Sequence, residues 1–157
     1  MKKIAFIIVL VVFLGCNNNH HITLNDKFGF DTAWDAGSKT LKISGFNEPF
    51  ALFFFSTMCS ECATQIPIMN EIAKNTKIIG IMDDSMGFDK DIDILANKGV
   101  EFISTSNPKS VKFFQSVVGG ISGTPTTVIF DKNGKKIWQF SGLFGKDEFF
   151  KHLESVQ

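Results

Sequence analysis

The sequence lacks an excess of charge of either sign, because 16 lysine and arginine residues balance 16 aspartate and glutamate residues. Nucleic-acid-binding domains usually carry a basic excess, so the composition gives no indication of a nucleic-acid partner. Tyrosine is absent and phenylalanine occurs 18 times, a bias for which we have no functional interpretation. With 157 residues, of which 44% are hydrophobic, the chain is long enough to bury the core of one domain.

Long hydrophobic runs are also missing, apart from one stretch near the start of the sequence. The apolar run over residues 4–14 has 11 residues, whereas a membrane-spanning helix needs about 20. The run follows Lys2 and Lys3, and this combination is typical of a secretory signal peptide. We therefore expect residues 1–15 to be a signal peptide and the protein to be exported.

Gly15 and Cys16 come directly after the apolar run. The pair resembles the lipobox of bacterial lipoproteins, in which the cysteine becomes the lipidated first residue. This resemblance implies a lipid on Cys16, a polar tether over residues 16–21 and a folded domain over residues 22–157. It also implies a protein that is anchored to a bacterial membrane and faces the periplasm. An ordinary secretory signal that happens to precede a cysteine is the alternative.

Cysteine is scarce, and two of the three cysteines form a Cys-x-x-Cys motif at Cys59 and Cys62. Exported proteins meet an oxidising environment, in which cysteines are normally paired. A disulfide across two intervening residues closes too small a loop to stabilise a fold by much. Reactive chemistry therefore explains this spacing better than a structural role does.

The motif stands where the hydrophobic pattern changes its period. The continuous apolar run Phe50–Phe55 predicts a strand that is buried on both faces. After it, apolar residues recur at helical spacing at Ala63, Ile66, Met69 and Ala73. Cys59 therefore falls at a helix N-terminus, where unpaired N–H groups and the helix dipole stabilise a thiolate. We expect Cys59 to be the exposed nucleophile and Cys62 the more buried resolving thiol.

The remaining pattern predicts an α/β fold with a mixed central sheet that is flanked by helices. Asn133-Gly134 predicts a hairpin turn, and residues 26–38 are expected to be irregular. The predicted strands are 22–24, 40–43, 50–55, 77–82, 100–103, 126–130 and 136–140. The predicted helices are 59–75, 88–98, 108–118 and 146–156.

Two motifs in this order resemble the thioredoxin superfamily. Cys59-Ser60-Glu61-Cys62 follows the first long buried strand, and Gly123-Thr124-Pro125-Thr126 opens the strand before the last hairpin. Within the superfamily, the chain is similar to the membrane-tethered TlpA/ResA type, which includes the cytochrome c maturation thioredoxins. Residues 55–62 stand where that group has an aromatic-Ala-Thr-Trp-Cys-x-x-Cys run, and residues 88–116 match the size of its central insertion. The resemblance implies a thioredoxin-like fold.

The resemblance also implies roles for the matching residues. Cys59 would be the nucleophile and Cys62 the resolving thiol, and their disulfide would be the redox group, with no separate cofactor. The bond before Pro125 is expected to be cis, which would turn the Thr124 backbone towards the sulfurs, where it can pair with a substrate chain. The implied partners are exported thiol or disulfide proteins, apocytochrome c among them, and a membrane reductase as electron donor.

Several residues depart from the pattern of that group. Met58 replaces the usual tryptophan before the nucleophile, and Gln65 replaces a glutamate that several members carry, which excludes a carboxylate base there. Glu61 is then the nearest candidate acid, and its charge would raise the thiol pKa against the helix dipole. Asp83 and Asp84 directly follow the predicted strand 77–82, and we expect them in a solvated loop rather than at the dithiol.

These features predict a thiol–disulfide oxidoreductase that acts as a reductant, and three other functions stay open. A thiol peroxidase would need Thr-x-x-Cys, but Ser56 occupies the threonine position. A copper chaperone on the same fold would need a gap of three residues and a later histidine, and His152 is the only one. The last alternative is a binding lipoprotein with a structural disulfide. His20 and His21 have no third ligand nearby in sequence, so we predict no metal site.

Overall fold

The computed structural model describes residues 18–26 and 29–155. The predictions of a signal peptide and of a lipid on Cys16 lie outside the described residues, as do residues 27–28 and 156–157. The described strands are β1 (Asn18–His21), β2 (Phe30–Asp35), β3 (Thr40–Ile43), β4 (Phe50–Phe55), β5 (Lys77–Met82), β6 (Ile103–Thr105), β7 (Thr126–Phe130) and β8 (Lys136–Ser141). The described helices are α1 (Ser60–Ala73), α2 (Phe88–Asn97), α3 (Pro108–Val118) and α4 (Lys146–Glu154).

Strand β4 is the centre of a five-stranded sheet with the order β6-β5-β4-β7-β8. It pairs in parallel with β5 and antiparallel with β7, so the sheet is mixed, as predicted. All six residues of β4 are buried, because alternate side chains enter two separate cores. Phe53 and Phe55 pack with α1 and α4 on one face of the sheet, whereas Phe54 packs with α3 and β3 on the other.

The parallel pairing of β4 with β5 creates the edge at which the Cys-x-x-Cys motif lies. Phe55 stands opposite Met82 at the ends of the two strands. The segments that follow both strands therefore leave the sheet at the same edge, which is where open α/β sheets commonly carry their sites. Cys59 lies in the first of these segments and Asp84 in the second.

A second sheet, of order β1-β2-β3, differs from the sequence prediction. Residues 18–21, expected in a polar tether, form β1, and residues 30–35, expected to be irregular, form β2 antiparallel to it. Residues 22–24, expected to be a strand, lie outside the strands. The prediction of these three segments was wrong because β1 is polar and its neighbours are far away in sequence.

A buried histidine is the physical reason for strand β1. His21 is 2% exposed, and its ring nitrogens form hydrogen bonds with Thr32 Oγ1 (2.8 Å) and Ser110 Oγ (2.9 Å). Burial, together with the charge of His20, lowers the pKa of His21 to about 4. The ring is therefore neutral at pH 7 and is satisfied as a core residue.

Strand β6 begins three residues later than predicted, at Ile103 instead of residue 100. Val100 lies just beyond α2 and closes its C-terminus, because its N–H donates to the Leu95 carbonyl (3.0 Å) across Gly99, which has φ +66. This arrangement is a common helix C-terminal closure. The other predicted strands from residue 40 onward and the predicted helices lie close to their expected bounds.

The predicted turn at Asn133-Gly134 also joins the two sheets. Asp131 Oδ1 accepts hydrogen bonds from the N–H groups of Asn133 (2.9 Å) and Lys135 (2.8 Å). Gly134 has φ +82, and its carbonyl accepts a hydrogen bond from the Leu41 N–H (2.8 Å). A side chain at Gly134 would meet the Leu41 carbonyl oxygen, so this position requires glycine for two reasons.

We expect Gly134→Ala to lower the free energy of unfolding by at least about 2 kcal/mol, because it adds a clash with Leu41 to the strain of a positive φ. Gly45→Ala is the matched control, since Gly45 has φ +80 and a Cβ there would meet nothing within 4 Å. That variant should lose only about 1 kcal/mol. Urea denaturation measures both losses, and equal losses would show that the contact with Leu41 is unimportant.

Candidate active site at the Cys59–Cys62 disulfide

Cys59 and Cys62 are joined by a disulfide, with their Cα atoms 5.2 Å apart. Cys62 is 0% exposed and belongs to the core between the sheet, α1 and α4. Cys59 is half-buried and packs against the edge of the same core. Solvent therefore reaches the pair from the Cys59 side.

The start of helix α1 is built on Cys59. Cys59 has an extended backbone and serves as the N-cap, its carbonyl accepts a hydrogen bond from the Ala63 N–H (3.2 Å), and its sulfur accepts one from the Cys62 N–H (3.1 Å). The helix therefore begins where the hydrophobic period predicts. In the reduced protein, the same N–H and the positive end of the helix would face the Cys59 thiolate and stabilise it.

The Thr124–Pro125 peptide bond is cis, as expected. The Thr124 carbonyl oxygen lies 3.5 Å from Cys59 Sγ. The Pro125 carbonyl accepts a hydrogen bond from the Gly142 N–H (2.9 Å), which ties this segment to the end of β8. The structure therefore brings the two sequence motifs together at one end of the sheet.

Glu61 is the carboxylate next to the exposed sulfur. Its Oε2 lies 3.9 Å from Cys59 Sγ and accepts a hydrogen bond from Ser60 Oγ (2.9 Å). The backbone N–H of Glu61 and the Ser60 hydroxyl hold the pKa of the Glu61 carboxyl below its usual range. Glu61 is therefore ionised at neutral pH, and its negative charge opposes a thiolate on Cys59.

Gln65 is fully buried behind the disulfide and pairs with one backbone unit. Its side-chain amide donates to the Phe144 carbonyl (3.2 Å), and its carbonyl oxygen accepts from the Phe144 N–H (3.1 Å). Gln65 therefore fastens the segment between β8 and α4 to helix α1. The sequence excluded a carboxylate base at position 65, but no sequence pattern predicted the contact with Phe144, which lies 79 residues away.

Two exposed apolar side chains lie on the segments around the disulfide. Met58, which directly precedes Cys59, is 90% exposed, and Leu143, which follows Gly142, is 46% exposed. Large apolar side chains at a reactive edge can contact a bound polypeptide. The side chain of Met58 therefore projects into solvent beside Cys59.

Asp84 corrects the prediction of a solvated acidic loop. Its carboxylate accepts hydrogen bonds from Ser56 Oγ (2.9 Å), Thr57 Oγ1 (2.6 Å) and Thr57 N–H (2.9 Å), which makes it a part of the turn before Cys59. Burial alone would raise the pKa of Asp84, but the hydrogen bonds from Thr57 and Ser56 outweigh burial and lower it. Burial and the Asp84 charge raise the pKa of the neighbouring Asp83.

Metal and membrane features can be examined only within residues 18–26 and 29–155. There, no three histidine, cysteine, aspartate or glutamate side chains come together as a metal site. Likewise, none of the helices in that part of the chain has the length and hydropathy needed to cross a bilayer.

A family model described as a thioredoxin-like domain matches residues 38–157. The chain belongs to this thioredoxin-like family. The match includes the five-stranded sheet, the four described helices, the Cys59–Cys62 pair and the Thr124–Pro125 bond. Oxidoreductases with the thioredoxin fold use a redox-active cysteine pair rather than a bound cofactor.

Curated relatives confirm the resemblance to the ResA type. The chain is 27% identical over 107 residues to the thiol-disulfide oxidoreductase ResA of Bacillus anthracis, covering 67% of this chain and 61% of the relative. ResA of Geobacillus thermodenitrificans is 28% identical over 110 residues, covering 68% and 62%. The chain thus spans about three fifths of the length of the curated relatives it matches. The assignment of residues 88–116 to a TlpA-type insertion stays a prediction.

Solved structures share the fold at low sequence identity. A secreted thiol-disulfide isomerase from Corynebacterium glutamicum has a TM-score of 0.67 at 15% identity, with coverage of 88% of this chain and 83% of that chain. The exposed lipoprotein thioredoxin Etrx1 from Streptococcus pneumoniae has a TM-score of 0.64 at 14% identity, with coverage of 88% and 99%. The predicted thioredoxin-like fold is therefore confirmed.

We expect Gln65→Glu to lower the free energy of unfolding at pH 7 by about 3 kcal/mol, because a buried carboxylate cannot donate to the Phe144 carbonyl. The burial would raise the pKa of the new carboxyl, so the loss should shrink as the pH falls and the protonated acid donates again. The exposed Gln139 provides the control, and Gln139→Glu should change stability by less than about 0.5 kcal/mol. Urea denaturation at pH 7 and pH 5 measures both; a Gln65→Glu variant as stable as the wild type at pH 7 would contradict this role.

Proposed function

We propose that the protein is a thiol–disulfide oxidoreductase that reduces exported proteins through Cys59 and Cys62. One observation carries the proposal: the two sulfurs are joined at the start of helix α1, with the Thr124 carbonyl oxygen 3.5 Å from Cys59 Sγ. Membership of the thioredoxin-like family and the similarity to ResA proteins support it. A disulfide that served only to stabilise the fold would not need a half-exposed sulfur at a helix N-terminus.

The proposed reaction transfers two electrons from the dithiol to a substrate disulfide. The Cys59 thiolate attacks one sulfur of the substrate, which forms a mixed disulfide and releases the other substrate sulfur as a thiolate. Cys62 then gives up its proton to solvent and its sulfur attacks Cys59 Sγ, which releases the second substrate sulfur as a thiolate and leaves the Cys59–Cys62 disulfide. The two substrate thiolates take up protons from solvent. The Cys62 N–H, 3.1 Å from Cys59 Sγ, stabilises the negative charge on Cys59 before it attacks the substrate.

The residues around the sulfurs have distinct proposed roles in this reaction. The backbone of Thr124 and Pro125 pairs with an extended substrate segment, as an added strand does. The exposed Met58 contacts apolar side chains of the substrate. Glu61 restrains the acidity of the Cys59 thiol through its charge, and Gln65 holds the rear of the site through the Phe144 backbone.

The proposed substrates are exported proteins whose cysteines must be kept reduced, with apocytochrome c as the specific candidate. Haem attachment to such a protein requires free thiols, which an oxidising compartment tends to pair. A dithiol that reduces them has to be regenerated, so a membrane reductase is the proposed electron donor. The similarity to ResA proteins and the Thr124-Pro125 motif support the reducing direction by analogy.

We also propose that residues 1–15 are a signal peptide and that a lipid on Cys16 anchors the protein to a bacterial membrane, with the domain facing the periplasm. The similarity to a protein described as an exposed lipoprotein thioredoxin supports this assignment. Strand β1 begins at Asn18, only two residues after Cys16. Because two residues span at most about 7 Å, the lipid would hold the domain close to the membrane surface.

We expect Cys62→Ser to accumulate a mixed disulfide with a peptide that contains one internal disulfide, because the resolving thiol is missing. The matched variant Cys59→Ser should form no adduct, because the remaining sulfur is buried. Non-reducing electrophoresis and mass spectrometry of the adduct give the measurement. Both variants should fold, since a disulfide with this spacing adds little stability.

Equal adduct formation by both variants, or full exchange activity in Cys59→Ser, would contradict the proposed roles. The absence of exchange in the wild type would favour a structural disulfide.

A further inference from the structure

The turn before Cys59 is held by the carboxylate of Asp84, which lies in the segment that follows the neighbouring strand β5. Asp84 Oδ2 accepts hydrogen bonds from Ser56 Oγ (2.9 Å) and Thr57 Oγ1 (2.6 Å), and both Asp84 oxygens lie within 3.0 Å of the Thr57 nitrogen. Ser56 Oγ in turn accepts a hydrogen bond from the Met58 N–H (3.2 Å). Residues 56–58 are therefore all linked to Asp84, directly or through one oxygen atom.

This turn determines where the Cys59 sulfur stands. The Cys59 N–H donates to the Ser56 carbonyl (3.4 Å), and Cys59 is the N-cap whose sulfur accepts the Cys62 N–H. A displacement of the turn would move this sulfur away from the N–H group. Because hydrogen bonds weaken steeply with misalignment, the thiolate would lose stabilisation.

We propose that Asp84 is a positioning residue for the dithiol: its carboxylate holds residues 56–58 so that the Cys59 sulfur stays at the N-terminus of α1. The inference rests on the proposed function, because it concerns the reactivity of Cys59 in disulfide exchange. Asp84 adds a third requirement to the site, beyond the Cys-x-x-Cys motif and the cis bond before Pro125.

Charge and position have opposite effects on Cys59, which makes the proposal testable. A negative charge near a thiol disfavours its ionisation, so a carboxylate that acted through charge alone would slow the nucleophile. A carboxylate that positions the sulfur instead makes Cys59 react faster. The other carboxylates near the turn are Glu61, with Oε2 3.9 Å from Cys59 Sγ, and Asp83, whose side chain forms no hydrogen bond with Ser56 or Thr57.

The test is the alkylation of Cys59 in the reduced full-length protein by iodoacetamide between pH 5 and 9, followed at Cys59 by peptide mass spectrometry. We expect Asp84→Ala to slow the reaction at pH 7 at least about threefold, which corresponds to a rise of about half a unit in the thiol pKa. Asp84→Asn keeps an acceptor oxygen for the Ser56 and Thr57 hydroxyls and loses the charge, so its rate should equal or exceed that of the wild type. Asp83→Ala is the matched control, and its rate should also equal or exceed that of the wild type.

A rate in Asp84→Ala at or above that of the wild type would overturn the proposal. A fall in Asp84→Asn as large as that in Asp84→Ala would overturn it too, because the hydrogen bonds that asparagine can still accept from Ser56 and Thr57 would then not be what keeps Cys59 reactive. Should Asp84→Ala fail to fold by circular dichroism, Thr57→Val takes its place, since it removes the 2.6 Å hydrogen bond from the other side. An alkylation rate in Thr57→Val that is below that of the wild type, by a smaller factor than expected for Asp84→Ala, supports the proposal. A rate equal to that of the wild type overturns it.

Different results would contradict the proposed role of Asp84 and the proposed function of the protein. If the wild type exchanges disulfides and Cys59 is alkylated as fast in Asp84→Ala as in the wild type, only the proposed role of Asp84 is wrong. If the wild type exchanges no disulfides through Cys59 and Cys62, the proposed function itself is wrong.

Discussion

The candidate site depends on one hydrogen bond, from the Cys62 N–H to Cys59 Sγ (3.1 Å). It forms because the chain leaves the sheet after β4, which is buried on both faces, and enters helix α1 at Cys59. In the reduced state, this helix start favours charge on Cys59, whereas full burial disfavours charge on Cys62. One helix terminus thus makes two identical side chains chemically different.

Polar contacts from three other segments fix that helix start within an otherwise apolar core. Asp84 holds the turn before it, and Gln65 pairs with the Phe144 backbone behind it. The Pro125 carbonyl is held by the Gly142 N–H, which keeps the Thr124 carbonyl beside the sulfur. Such satisfied polar contacts rigidify a site at low cost to stability, which suits a thiol that must be both reactive and aligned.

The sequence predicted the parts of this arrangement that rest on strong local patterns. The run in β4, the helical period after Cys59 and the resemblance around Pro125 were sufficient for the helix start and the cis bond. Strand β1 was missed because its polar residues show no hydrophobic period, and the partners of His21 lie 11 and 89 residues away. The role of Asp84 was missed for a related reason: it depends on the parallel pairing of β4 with β5, which no single segment shows.

The most direct test of the account is the reduction potential of the Cys59–Cys62 pair in the chain from Asn17 onward, titrated against glutathione and dithiothreitol with the thiols read by alkylation. We expect a reversible two-electron couple near that of thioredoxin, around −270 mV. A value of about −120 to −180 mV would make the protein an oxidant or isomerase and contradict the reducing direction. The absence of any reversible couple would contradict the oxidoreductase function as a whole.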